Sequence, residues 1–90
     1  MVDMLAAIVE FFGTFLFLMS ILATGNAFMI GATLAVIILL TGSISGAHVN
    51  PAVTLTMFIK GAITAPDMFA YMAVQFAGGV AAYYAYTALV

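Results

Sequence analysis

Polar side chains are rare along this chain, and their positions divide it into segments. From Met4 to Ala23 only Glu10, Thr14 and Ser20 interrupt an apolar run. At 1.5 Å per residue, roughly 20 helical residues reach across the ~30 Å hydrocarbon core of a bilayer. The pattern therefore predicts a first span over residues 4–24, closed by the turn signal Thr24-Gly25-Asn26. A second span follows over residues 28–45. A third runs over 66–88, with Pro66 in its first turn and Asp67 at the positive end of the helix dipole. Tyr71 near one end of this third span and Tyr83, Tyr84 and Tyr86 near the other fit the aromatic belts of a membrane interface.

Between the second and third spans the pattern changes. Gly42 to Val49 reads as irregular backbone made mostly of small residues. Asn50-Pro51 then opens a helix, with Asn as N-cap and Pro at the first helical position. That helix, residues 50–59, covers only ~15 Å, half a bilayer. Lys60-Gly61 ends it with a cation at the negative end and a glycine behind. A short helix entered through glycine-rich backbone fits a re-entrant segment, which survives at membrane depth only where protein or water covers its backbone. A second reading of the same residues is a packing device, since Gly42 and Gly46 form a GxxxG pair.

Composition narrows the choice of solvent. The chain is 68% hydrophobic and 4% charged, against about 25% charged residues in soluble domains. A soluble domain of this size has too little interior to hide so much apolar surface. The expected class is an all-α membrane protein in a single membrane domain, 1–90, with three transmembrane helices and one re-entrant half-helix. The start, Met-Val-Asp-Met, lacks the positive region of a signal peptide, so the first run is read as a retained span. With one Lys or Arg in all, no basic patch is available for nucleic acid. One His, no Cys and no nucleotide fingerprint point to no enzyme chemistry, metal or cofactor. Ser43 and Ser45 lie near His48, but no Asp is close in sequence to complete a triad.

The run Ser45-Gly46-Ala47-His48-Val49-Asn50-Pro51-Ala52-Val53-Thr54 resembles the first Asn-Pro-Ala loop of the aquaporin and glycerol-facilitator family. Glu10-Phe11-Phe12-Gly13-Thr14 is similar to the family's first-span motif, and Gln75-Phe76-Ala77-Gly78-Gly79 to its third-span motif. The three segments occur in the family's order and cover nearly the whole chain. The resemblance is to the amino-terminal half-repeat only. It implies a passive channel for water or small uncharged solutes, formed when two inverted half-repeats pair and their half-helices meet near the midplane.

On that resemblance, Asn50, Pro51 and Ala52 bring the half-helix to the pore, and Asn50 donates from its free amide to passing solute. Gly46, Ala47 and His48 contribute backbone carbonyls, and the His48 ring either lines the vestibule or is a satisfied structural group. Val53 stands where the second repeat of a full-length member carries a filter arginine, and Ile30 stands at a constriction position that is often aromatic. A symmetric pair then has an apolar filter, so glycerol, urea or ammonia become as plausible as water. Glu10 braces the loop by accepting backbone hydrogen bonds, and Gln75 supports it. An ionised group at a helix centre costs roughly 2.5–3.5 kcal/mol on insertion scales, so Glu10 needs such partners or a proton. Its competing reading is a proton-coupled carboxylate of the kind used by small multidrug transporters.

The expected partner is an antiparallel second copy, four such pairs making a larger assembly, or else a separately encoded complementary half. Lys60, Asp3 and Asp67 share one side in the family's arrangement, so the Lys/Arg bias that sets orientation is weak and dual topology follows. The alternatives are a non-conducting half-repeat that needs or modulates a partner, an incomplete product, or a Glu10-dependent transporter. In every case the chain is expected to be an integral, multi-pass membrane protein surrounded by lipid.

Overall fold

The computed structural model describes residues 3–90. The first two residues, part of the signal-peptide reading above, lie outside the described ones. The described chain forms four helices: α1 (Met4–Thr24), α2 (Ala27–Ser45), α3 (Pro51–Lys60) and α4 (Ala65–Leu89).

Local chemistry sets most of the boundaries. Asp3 caps α1 by accepting from the Ala6 amide, and Asn26 caps α2 by accepting from Phe28 and Met29. Each cap satisfies first-turn amides that have no partner inside the helix. Gly25, Gly46 and Gly61 end α1, α2 and α3 in the left-handed conformation. Thr64 caps α4, with Pro66 and Asp67 in its first turn.

Helix α2 continues to Ser45, so Gly42 to Ser45 are helical rather than irregular. The Gly46 amide still donates to the Gly42 carbonyl at 3.0 Å, and the helix stops only where Gly46 turns to φ 88°. The irregular stretch is thus Gly46 to Asn50. The GxxxG reading finds no packing helix among the described residues. A Cβ at Gly42 would meet nothing within 4 Å, and one at Gly46 would meet the His48 ring rather than a helix.

Helix α1 packs on α2 and α4, and α4 packs also on α3. Glycine makes the α1–α4 contact possible. A Cβ at Gly78 would lie 2.6 Å from the Phe11 carbonyl oxygen, a backbone atom that cannot swing aside. Likewise a Cβ at Gly13 would lie 2.8 Å from Val49 Cγ1, so α1 approaches the Val49 side chain this closely because position 13 has no side chain.

Burial runs opposite to that of a soluble domain. The largest fully buried side chains are Gln75, Glu10 and Thr54, while Phe28 is 87% and Leu39 82% exposed. Soluble proteins almost never bury Glu without a partner and rarely expose large contiguous apolar surface. Here the apolar surface faces outward, and within, Glu10, Ser45, His48, Thr54 and Gln75 hydrogen-bond to one another. By length and composition α1 and α2 can cross a membrane. With 25 residues α4 is longer than either, but its Gln, Gly, Tyr and Thr residues make it less apolar. Tyr71 is not an interfacial anchor: it is buried, and its hydroxyl donates to the Ser45 carbonyl at 2.7 Å.

Candidate functional site

The stretch joining α2 to α3 carries unusual backbone. Ala47 and Val49 have φ of 50° and 44°. Positive φ is uncommon for any residue with a Cβ and an outlier for a β-branched one. Such conformations cost about 1–3 kcal/mol each and persist only where surrounding structure holds them.

Glu10 is what holds this one. Its Oε2 accepts from the His48 amide at 2.9 Å and the Ser45 hydroxyl at 2.7 Å. Its Oε1 accepts from the Val49 amide at 2.8 Å and Gln75 Nε2 at 2.9 Å. Glu10 is completely buried, and all four partners are donors, the set that suits an acceptor-only carboxylate. Ser45 Oγ also accepts from the Ala47 amide at 3.1 Å.

These anchors orient the peptide units. All peptide bonds among the described residues are trans, so each carbonyl points opposite to the N–H of its unit. With the amides of 47, 48 and 49 turned to Ser45 Oγ and Glu10, the carbonyls of Gly46, Ala47 and His48 face the other way. None of the three accepts a hydrogen bond from a described residue. Gly46 is exposed while Ala47 and His48 are buried, so these three carbonyls stand open to a partner from outside the described residues.

Asn50 follows as the N-cap of α3. Its Oδ1 accepts from the Ala52 amide at 2.7 Å, which leaves the Nδ2 amide without a described partner. The residue is exposed. The site therefore presents three acceptors followed by a donor at the positive end of a ten-residue helix. Pro51 occupies the first helical position, Ala52 is exposed beside it, and Val53 is half-buried one step further on. Ile30 sits half-exposed in the first turn of α2, outside this cluster.

His48 points inward. Its ring is buried, Nδ1 lies 2.9 Å from Thr54 Oγ1, and the ring meets Tyr71 edge-on. Of the two readings above, this placement favours a satisfied structural group. Gln75 ties the pieces together. Its Nε2 donates to Glu10 on α1 and to Thr54 on α3, the latter at 2.8 Å.

Three members of this network escaped the sequence reading: Ser45, Thr54 and Tyr71. A signal existed for Thr54, which lies one turn after Asn50 in a chain where hydroxyls are scarce. Thr14 Oγ1 and Gln75 Oε1 are buried without a described partner. Both residues line a cavity of about 440 Å³ that opens beside the start of α3.

Comparison with known proteins identifies the family. The profile of the family described as major intrinsic protein matches residues 2–89. The chain is 43% identical over 56 residues to an aquaglyceroporin (AqpS) of Rhizobium meliloti, covering 62% of this chain and 24% of that protein. It is 34% identical over 92 residues to a probable aquaporin (PIP2-8) of Arabidopsis thaliana, covering 83% and 33%. To the lens fiber major intrinsic protein of Canis lupus familiaris it is 44% identical over 55 residues, covering 61% and 21%. The chain thus spans a third or less of the length of these relatives. No solved structure matches it significantly.

Proposed function

The chain belongs to the major intrinsic protein family, and from that premise we propose that it is half of a passive channel for water or small uncharged solutes, completed by a second, inverted half-repeat. It is an integral, multi-pass membrane protein, with its apolar exterior toward lipid. The relatives it matches bear the names of aquaporins and an aquaglyceroporin, which supports channel rather than enzyme function.

One observation carries the reading: the unengaged Asn50 amide at the exposed start of α3, next to three carbonyls turned away from their anchor. A neutral solute crossing lipid loses its hydration shell. A row of fixed acceptors ending in a double donor replaces that shell. Two inverted copies bring two positive helix ends together at the midplane, which opposes cations and protons. One copy supplies one half-helix and one wall, so the pathway needs a second half.

The four bonds to Glu10 also weigh against a transporter reading. A proton-coupling carboxylate must exchange its partners, whereas this one holds the His48 amide and the amide of strained Val49 in place. A second reading has its own support in Val53 and Ile30. Both are apolar, and a symmetric pair would carry valine twice and no filter arginine, which favours a separate half that supplies the missing donor.

The test is purified chain in liposomes, followed by stopped-flow light scattering. Water or glycerol permeability should rise above that of empty vesicles and be unaffected by a pH gradient. Asn50→Asp should lower it at least several-fold with folding retained, because aspartate caps a helix as well as asparagine does but has no amide donor. No flux from well-folded chain would leave the non-conducting half-repeat.

A further inference from the structure

We propose that Tyr71 is a positioning residue of the solute path. Through the Ser45 carbonyl it sets the direction of the Gly46 carbonyl, first of the three acceptors, and thereby the discrimination between polyols and water. The inference rests on the channel reading above and deepens it.

The three acceptors are not held alike. The Ala47 carbonyl shares a peptide unit with the His48 amide, and the His48 carbonyl shares one with the Val49 amide. Glu10 accepts from both amides. The Gly46 carbonyl shares its unit with the Ala47 amide, which donates instead to Ser45 Oγ at 3.1 Å. The first acceptor thus depends on where Ser45 stands, and Ser45 is held from two sides. Its hydroxyl donates to Glu10 on α1 at 2.7 Å, and its carbonyl accepts from the Tyr71 hydroxyl on α4 at 2.7 Å. Among the described residues this is the only hydrogen bond between α4 and α2, and the two helices do not otherwise pack on each other.

Removing the Tyr71 hydroxyl frees a motion that the rest of the network does not stop. The Ser45 carbonyl lies at the C-terminal end of α2, where carbonyls have no helical partner. Left buried and unpaired, it is destabilised. The next residue, Gly46, at φ 88° and without a Cβ, is the pivot about which it turns toward the exposed side. The Gly46 carbonyl turns with it, while those of Ala47 and His48 stay fixed by Glu10. A polyol brings several hydroxyl donors and needs consecutive acceptors in register, whereas a water is served by the pair that Glu10 fixes. Loss of the first acceptor therefore falls mainly on polyols.

The experiment is Tyr71→Phe in liposomes, with stopped-flow permeability to glycerol and to water. The ring against His48 is kept and only the hydroxyl is lost. Glycerol permeability should fall about 2- to 10-fold, the worth of one hydrogen bond, and water permeability by less than about 2-fold. In spectra of chain labelled with nitrogen-15 at glycine, recorded in micelles, the Gly46 amide should shift while those of Gly25 and Gly61 stay in place. Tyr83→Phe, the same deletion at an exposed position of α4, should change none of these. Both permeabilities lowered by one factor, or neither changed, overturn the role of Tyr71 and leave the channel reading standing. So does a Tyr71→Phe chain that no longer folds, since the hydroxyl is then structural only. A well-folded unsubstituted chain that passes water but no glycerol overturns this role alone. One that passes neither overturns the channel reading with it.

Discussion

Glu10 gives both carboxylate oxygens to the stretch before α3, and each oxygen takes two donors. Removing the carboxylate strands the amides of His48 and Val49 in a buried position. An unsatisfied buried donor costs about 1–3 kcal/mol, so Glu10→Ala should destabilise the chain by roughly 3 kcal/mol or more. Unfolding in mixed detergent micelles, followed by circular dichroism, measures this. Ile30 acts at the other extreme, through bulk alone. It lies in the first turn of α2, half-exposed and away from the polar network. If its side chain bounds the solute path, Ile30→Trp should cut glycerol flux at least several-fold while leaving stability within about 0.5 kcal/mol, as surface changes usually do. Unchanged flux in the liposome assay would remove Ile30 from the path.

The half-helix α3 was readable in the sequence because its signals are local. Asn50-Pro51 and Lys60-Gly61 mark its ends through capping chemistry that needs no tertiary partner. The end of α2 was not readable in the same way. Gly42 and Ser43 look like breakers, yet the helix runs on until Ser45 commits its hydroxyl to Glu10, 35 residues earlier in the chain. Tyr71 was misplaced for a related reason: a tyrosine near a span end resembles a belt residue until its partner, the Ser45 carbonyl, is known. Thr54 joins both His48 and Gln75 only once α3 and α4 are packed together. At this scale Gly42 of α2 and Gly78 of α4 behave oppositely. Gly78→Ala should cost about 1–3 kcal/mol, the range for overpacking, because its new methyl meets backbone of α1. Gly42→Ala meets open space and should stabilise the isolated chain by up to about 1 kcal/mol through helix propensity. Thermal unfolding of the two variants side by side gives both signs.

For the whole molecule, polar residues inside and apolar residues outside form a consistent arrangement. Helices α1 and α4 run in the same direction, as the contacts Glu10–Gln75 and Leu18–Gly79 require. Asp3 and Asp67 therefore lie at one end, and Lys60, at the close of α3, lies just before the start of α4. The single base is matched by acids at its own end, so charge gives little direction to insertion. At this scale the second half of the proposed channel was expected only through the family resemblance, since one copy carries a single half-helix. The account turns on whether α3 begins on a wet path. Val53→Cys places a thiol in the first turn of α3, and Leu39→Cys places one on the exposed apolar surface of α2. The measurement is the rate at which each reacts with a small, water-soluble thiol reagent in proteoliposomes, since only the hydrated thiolate reacts quickly. The account predicts fast modification at position 53 that also lowers flux, and negligible modification at position 39. Equal, negligible reactivity at both positions would contradict it.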